Sequence, residues 1–304
     1  MRHHTSTPSL SSFRARGKSI RGRASAEAPP DGLAHLLDHA RFEILPSPGI
    51  EVEVTRHLPP ATMVHVVCPA TLGVDVSVSV AVELHERGYE AVPHVAARTV
   101  RDPDHLRRVL DRLAEVGITK AFFPGGDGKY PIGTYSSAVE LLADLARTQH
   151  SLTDIGVTAY PQGHPFIPSE VLLEALRRKQ EIATFMVSET CLDPETTICW
   201  LREMREAGVT LPLMVGVPGK VRVGELMKAL RQFGLSSALG YLKKQHGMLG
   251  AILRRRFSRQ EIVFGIAPYV HDEALQIERA HFFTFNEIAA TEVWREGVLD
   301  NFVS

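Results

Sequence analysis

Short apolar runs alternate with amphipathic stretches along most of this chain. The runs are rich in β-branched residues and nearly continuous in hydrophobicity, which is the pattern of strands buried on both faces. The pattern predicts eight strands: Phe42–Leu45, Met63–Cys68, Ala91–Ala96, Ala121–Pro124, Ile155–Ala159, Thr184–Ser188, Leu213–Val217 and His281–Asn286. The chain therefore has the strand content of a large parallel sheet.

The stretches between the predicted strands carry helix signals. Asp102-Pro103 and Asp193-Pro194 each pair an N-cap aspartate with a proline at the first helical position. Ser258, followed by Glu261, has the spacing of a capping box. Further helices are predicted over Asp75–Gly88, Tyr135–Thr148 and Ser169–Glu181.

Repeated alternation of strand and helix predicts an α/β fold with parallel strands and right-handed crossovers. An open, doubly wound sheet is the main alternative, but eight rounds in about 260 residues favour closure into a (β/α)8 TIM barrel. The longer interval between strands seven and eight predicts extra helices there. We place the barrel, as a single catalytic domain, over residues 36–304.

The composition predicts which classes of partner this protein lacks and in which compartment it resides. A hydrophobic fraction of 44%, a charged fraction of 23% and a net charge of -1 are ordinary for a globular domain and predict no nucleic-acid partner. No apolar run approaches the ~20 residues that span a membrane. Three cysteines at irregular spacing favour the reducing cytoplasm over a disulfide framework. No zinc-binding spacing occurs, so no metal is predicted.

Residues 1–35 differ in composition from the rest of the chain. They are rich in serine, arginine and lysine and poor in acidic residues. This composition predicts a basic, flexible N-terminal arm. An organellar transit peptide has a similar composition, but no clear amphipathic helix can be written through this segment.

The loops that follow the strands carry the chemistry of such barrels, so polar residues at strand ends are the candidates. Glu43 lies inside an apolar strand, where desolvation would raise its pKa and make it a general acid near neutral pH. Alternatively, it is structural and pairs with an arginine of the barrel. Asp127 and Glu189 follow strands four and six and resemble an acid–base pair, or else form surface salt bridges. His281, in the last strand, is interpreted as a core residue.

Two loops and one helix could bind a ligand that carries a ring and phosphates. Gly125-Gly126 would let the backbone approach such a ligand closely, or would form a plain turn. Tyr160 and His164 lie four residues apart on a proline-rich loop, which could stack on a ring or simply cap the barrel. Arg178 and Lys179 could reach a pyrophosphate, although basic clusters on helices are usually solvated faces.

These motifs, in this order, resemble those of methylenetetrahydrofolate reductases. The matching segments are Phe42–Pro46, Pro93–Ala96, Gly126-Asp127, Ala159–Pro165, Arg178-Lys179, Val187–Glu189 and His281–Asn286. The resemblance covers roughly residues 41–297. Its most specific parts are the Tyr-Pro-Gln-Gly-His-Pro loop and the His-Phe-Phe-Thr-Phe-Asn strand.

The resemblance implies a flavin-containing (β/α)8 barrel. In that family NAD(P)H reduces FAD, and the flavin passes a hydride to 5,10-methylenetetrahydrofolate to give 5-methyltetrahydrofolate; the reverse oxidation would serve methyl catabolism. The resemblance implies that Glu43 protonates the folate N10 and that Asp127 takes part in catalysis. It also implies that Asp127 and Glu189 bind the folate substrate. The implied FAD-contacting positions are His94, Gly126, Asp127, Ser136, Tyr160, His164, Arg178 and Lys179.

The implied partners are a tetrahydrofolate derivative and NADH or NADPH, and members of the family usually form homo-oligomers. Val67 stands where the family has a threonine, Gly125 and Glu287 where it has arginines, and Glu189 where it has a glutamine. The lost threonine and arginine weaken FAD binding, and some relatives are thought to move hydride directly from NADH. Two other functions stay open: a folate-dependent C1 or methyl transferase barrel without redox chemistry, and a degenerate barrel that binds folate without catalysis.

Overall fold

The computed structural model describes residues 29–191, 193–219 and 258–303. Within these ranges eight parallel strands form one sheet that closes on itself as a barrel. The strands are β1 (Arg41–Ile44), β2 (Met63–Val66), β3 (Glu90–Pro93), β4 (Lys120–Phe122), β5 (Asp154–Ala159), β6 (Phe185–Thr190), β7 (Leu213–Pro218) and β8 (Ile277–Phe283). The predicted (β/α)8 TIM barrel is confirmed, and each predicted strand is present with shifted ends.

Closure of the barrel depends on the junction between β3 and β4. The sheet order runs β3-β2-β1-β8-β7-β6-β5-β4, so these two strands stand at its ends. The Val95 amide donates to the Phe122 carbonyl at 2.7 Å, and His94 bridges to Phe122 in the parallel sense. The rival open sheet is therefore excluded.

Helices pack around the outside of the barrel. The described helices are α1 (Pro30–Leu37), α2 (Ile50–His57), α3 (Val74–Glu86), α4 (Pro103–Val116), α5 (Ala138–Leu145), α6 (Ser169–Lys179), α7 (Pro194–Glu206), α8 (Arg259–Ile266) and α9 (Ile288–Phe302). The predicted N-caps are confirmed, because the side chains of Asp102, Asp193 and Ser258 each accept from a backbone amide of the first turn.

Three of these helices, α1, α2 and α9, were absent from the sequence prediction. The segment of α2 alternates apolar and polar residues as a strand would, yet Gly49 adopts a left-handed conformation (φ 78°) and starts a helix there. Helix α1 includes residues 30–35 of the predicted N-terminal arm and buries Leu33 and Leu37. Residues 1–28 of that arm lie outside the described residues.

The interval between β7 and β8 contains α8 and a short 3-10 turn, Ala267–Tyr269. The extra helices predicted there would fall within residues 220–257, which lie outside the described residues. In the part of the chain that the structure describes, no helix combines the length and hydropathy that crossing a membrane requires.

The eighth strand begins and ends earlier than predicted. It covers Ile277–Phe283, because Phe285 and Asn286 have positive φ values of 49° and 67° and turn the chain out of the sheet. The Asn286 side chain bonds both the amide and the carbonyl of Leu45, at 2.8 and 2.9 Å. Asn286 therefore joins the ends of β8 and β1 instead of extending the strand.

Candidate active site at the mouth of the barrel

The strand β1 places one charged side chain above another inside the barrel. Arg41 and Glu43 are two residues apart and so point to the same face of the strand. The Arg41 guanidinium lies 4.4 Å above the Phe185 ring, within the apolar interior. Glu43 lies nearer the carboxyl end of the strand, and its side chain is 17% exposed. Glu43 is therefore within reach of a ligand in the barrel mouth.

Three histidines surround the Glu43 carboxyl group. Its Oε2 atom lies 3.2 Å from Nε2 of His281 on β8 and 3.8 Å from Nε2 of His94 after β3. His65 on β2 completes the group, with its Nδ1 atom 3.3 Å from Nε2 of His94 and its ring 4.6 Å from that of His281. The proposed arginine partner of Glu43 is therefore replaced by imidazoles.

Burial determines the protonation of this cluster. It raises the pKa of Glu43 to about 7, although the nearby His94 opposes the shift. Burial lowers the pKa of His94 to about 4 and that of His281 to about 3, and it holds the pKa of His65 well below its usual range. At neutral pH the histidines are uncharged, and Glu43 is divided between its acid and carboxylate forms.

Asp127 lies on the loop that follows β4. Its side chain is exposed at the mouth, yet enough protein surrounds it that burial raises the pKa of Asp127. The charge of Glu43 raises this pKa further, and that of Arg98 lowers it. The charge of Glu43 therefore reaches Asp127, the other predicted catalytic carboxyl group.

Tyr160 and Glu189 line the side of the mouth next to Asp127. Burial is the main cause of the raised pKa of Tyr160, and the charges of Asp127 and Glu189 add to it. The Tyr160 ring meets that of His164 edge to face, with centroids 5.3 Å apart. The structure thus brings together the predicted substrate-binding residues and the aromatic part of the predicted cofactor site.

A bulge in β6 positions Glu189. The register between β6 and β7 shifts between Val187 and Thr190, where the Gly216 amide donates to the Ser188 hydroxyl at 2.8 Å. A Cβ atom on Gly216 would lie 2.5 Å from the Ser188 carbonyl oxygen and 2.6 Å from that of Glu189. Glycine at this position allows β7 to approach the bulge.

The residues predicted to hold the phosphates of FAD are engaged within the protein. The amide and hydroxyl of Ser136 both donate to the Glu140 carboxylate, at 2.7 to 2.9 Å. Lys179 is buried and donates to the Thr158 carbonyl at 2.8 Å. Arg178 is exposed beside Glu140 and lowers its pKa. The donors of Ser136 are thus taken up by the Glu140 carboxylate and that of Lys179 by a backbone carbonyl, so these two residues do not fit the phosphates of FAD.

The other predicted cofactor residues have varied surroundings. His94 lies inside the barrel beside Glu43 and His65, whereas Gly126 belongs to the loop of Asp127. Among residues 29–191, 193–219 and 258–303, no group of three or more metal-binding side chains could hold an ion.

Sequence reasoning missed part of the surroundings of Glu43. His65 was not singled out, and His281 was interpreted only as a core residue. The available signal was the alternation of side chains along each strand, which places Arg41 and Glu43 on the same face of β1. In the barrel, Glu43 is paired in register with His65, and Arg41 is paired with His281. Strand register between distant segments was needed to bring these side chains together.

Fold and site together define a (β/α)8 barrel with a buried carboxylic acid below an open, polar mouth. A family model described as methylenetetrahydrofolate reductase matches residues 62–233. This match covers more than half of the chain, and the chain belongs to the methylenetetrahydrofolate reductase family. The matched range includes Asp127 and Glu189, whereas Glu43 and His281 lie outside it.

Comparison with solved structures found similar chains at low sequence identity. An uncharacterized protein from Clostridium thermocellum, described as binding two copies of 5-methyl-5,6,7,8-tetrahydrofolic acid, is 12% identical and has a TM-score of 0.59. The similarity covers 89% of this chain and 98% of that one. A putative lyase/mutase from Burkholderia cenocepacia J2315 is 12% identical over 90% of this chain and 87% of its own, with a TM-score of 0.46. At such identity the first similarity establishes the fold alone.

Proposed function

We propose that this protein reduces 5,10-methylenetetrahydrofolate to 5-methyltetrahydrofolate with NADH or NADPH as the hydride source. The family match supports a folate-related barrel. The observation that carries the proposal is Glu43, a carboxylic acid with a pKa of about 7 that is held among the imidazoles of His94 and His281 and whose charge reaches Asp127. An acid poised near the working pH is what protonation of a substrate nitrogen requires.

The proposed reaction needs one proton and one hydride. Glu43 gives its proton to N10 of the folate, and the C–N bond to the bridging carbon breaks to leave an iminium at N5. A hydride from the nicotinamide then adds to that carbon, which yields the N5-methyl group and the oxidised nucleotide. Asp127 and Glu189 would accept hydrogen bonds from the N–H groups of the pterin. Reversal of the same steps would oxidise 5-methyltetrahydrofolate.

The neutral histidines assist by holding Glu43. His281 bonds the carboxyl group and His94 lies beside it, so the acid keeps one orientation without a nearby cation that would force it to ionise. A charged partner would lower the pKa of Glu43 and remove its proton before substrate arrives. The imidazoles therefore suit an acid better than the arginine that the sequence allowed.

The test is an assay of the purified full-length protein. We expect NADH or NADPH to be oxidised only when 5,10-methylenetetrahydrofolate is present, with 5-methyltetrahydrofolate formed in equal amount. Binding of the folate without nicotinamide oxidation would favour a transferase or a non-catalytic binder. Failure to bind either compound would overturn the proposal.

The absorbance spectrum of the same preparation tests the cofactor. The resemblance predicts FAD, whereas the contacts of Ser136 and Lys179 favour direct transfer from the nicotinamide nucleotide. An active, colourless protein would support direct transfer. A flavin spectrum that is bleached by NADH and restored by the folate would establish FAD as the intermediate carrier.

The pH dependence of the reduction should follow Glu43. Because burial raises its pKa to about 7, the acid form predominates below this value and is lost above it. We expect kcat/KM to fall about tenfold per unit as the pH rises above about 7. The histidines have lower pKa values and cannot produce this decline. A profile that stays flat up to pH 9 would contradict the assignment.

A further inference from the structure

Arg98 connects the chain after β3 to the loop that carries Asp127. We call residues 124–137 the Asp127 loop. The Arg98 guanidinium donates from Nε to the Ser136 carbonyl and from Nη1 to the Gly128 carbonyl, both at 2.9 Å. One side chain thus bonds two points of the loop, Gly128 and Ser136, that are eight residues apart in sequence.

The backbone of Arg98 holds the same loop at two more points. Its amide donates to the Gly125 carbonyl at 3.1 Å, and its carbonyl accepts from the Ile132 amide at 3.0 Å. These bonds place Arg98 along the length of the Asp127 loop. The loop is therefore fastened to the segment that follows β3.

Glycines allow the loop to lie this close. Gly126 has a φ of 95°, and a Cβ atom on it would lie 3.5 Å from the Cβ atom of Arg98. A Cβ atom on Gly133 would come within 1.9 Å of the Arg101 carbonyl oxygen. The loop is thus packed directly against the segment from Arg98 to Arg101, and its course depends on that segment.

We propose that Arg98 is a positioning residue, which fixes the Asp127 loop over the barrel mouth so that the Asp127 carboxylate meets the pterin ring. This inference rests on the proposed function. Arg98 has no part in the proton or hydride transfer itself. Its role is to determine the position and the ionisation of the Asp127 carboxylate, which binds the substrate.

The charge of Arg98 also acts on Asp127. The groups that face Asp127 are Glu43 from β1, Cys68 after β2, Arg98 after β3 and Tyr160 after β5. Burial and the negative charge of Glu43 favour the protonated form of Asp127, and the cation of Arg98 favours the carboxylate. Removal of the Arg98 charge should therefore raise the pKa of Asp127 and impair its acceptance of pterin N–H bonds.

The experiment compares Arg98→Gln, Arg98→Lys and Arg101→Gln in the full-length enzyme. Arg101→Gln is the matched control, since Arg101 is exposed and contacts the loop through its backbone carbonyl, which accepts from the Thr134 amide. We expect Arg98→Gln to lower kcat/KM about 100-fold, because a shift of about 1 Å at a binding group has effects of this size. The control should change kcat/KM less than about threefold.

The pH profile separates a positioning role from general support of the fold. In Arg98→Gln the decline of kcat/KM on the acid side, where Asp127 becomes protonated, should move to higher pH. Arg98→Lys keeps the charge but cannot bridge two carbonyls with a planar fork, so it should restore the acid limb and recover only part of kcat/KM. Equal effects of Arg98→Gln and Arg101→Gln on both quantities would overturn the proposal.

Amide hydrogen exchange gives an answer that does not depend on activity. We expect the Ile132 amide and its neighbours in the loop to exchange faster in Arg98→Gln or Arg98→Lys than in Arg101→Gln. Unchanged exchange would refute the positioning role. If the wild-type enzyme reduces no folate but the loop amides respond as expected, the proposed function fails, while Arg98 is still what orders the Asp127 loop.

Discussion

Replacing Glu43 with glutamine should lower kcat for folate reduction by about 10²- to 10⁴-fold, because glutamine keeps the shape of the side chain but has no proton to give. The amide can still bond His281, so the geometry of the mouth should be retained. Single-turnover oxidation of NADH or NADPH, measured with saturating folate, reports this step. The affinity for 5-methyltetrahydrofolate, measured by titration, should change less than about threefold.

The control for this change is Glu53→Gln. Glu53 is an exposed glutamate of α2 that pairs with Arg56 on the same helix, so its replacement is the same chemical change outside the candidate site. The control should keep the activity of the wild type. Retention of more than a tenth of the wild-type rate in Glu43→Gln would refute the role of Glu43 as the acid. Equal loss of rate and folate affinity would assign Glu43 to binding instead.

The strand pattern predicted a functional role for Glu43, because a charged residue inside an apolar strand costs free energy unless it is used or paired. The same pattern predicted all eight strands, since hydrophobic runs buried on both faces are distinctive in this fold. It failed at the ends of β8, where the apolar Phe285 continues the run although its backbone turns away. Backbone conformation at single residues is determined by contacts such as that of Asn286 with Leu45.

The group around Glu43 could not be predicted in full, because its members are far apart in sequence. Glu43, His65, His94 and His281 come from four different segments, and only the pairing of β1 with β2 and β8, and of β2 with β3, brings them side by side in the barrel. Arg98 is a similar case. Its sequence position after β3 indicates the mouth, but its bonds to Gly128 and Ser136 depend on how the Asp127 loop folds back.

The same reasoning explains why the cofactor prediction has less support than the substrate prediction. The residues predicted to bind the pterin, Asp127 and Glu189, both act on Tyr160 through their charges, as their positions after β4 and in β6 led us to expect. The residues predicted to bind the FAD phosphates do not form one site. Glu140 accepts the hydrogen bonds of Ser136, and the buried Lys179 donates to the Thr158 carbonyl. A motif match shows only that the same residue types are present. Whether those residues can bind an anion depends on neighbours such as Glu140.

Replacing Gly216 with alanine should destabilise the protein by about 1–3 kcal/mol, the usual cost of overpacking a filled interior. The new Cβ atom would lie 2.5 Å from a backbone oxygen of β6 and 2.6 Å from the Phe283 ring. Backbone paired on both sides cannot yield as a flexible side chain can, so β7 must move away from the bulge. Urea denaturation at pH 7 measures the loss of unfolding free energy.

Gly297→Ala is the matched control, because Gly297 lies inside α9 and a Cβ atom there meets nothing within 4 Å. It should stabilise the protein by about 0.5–1 kcal/mol, since alanine favours the helix. Gly216→Ala should also weaken folate binding, because the bulge that it displaces carries Glu189. Normal stability together with weak binding would mean that the strain is confined to the site. Normal stability with normal binding would show that the contact between β6 and β7 is looser than the distances indicate, and that the bulge does not set the position of Glu189.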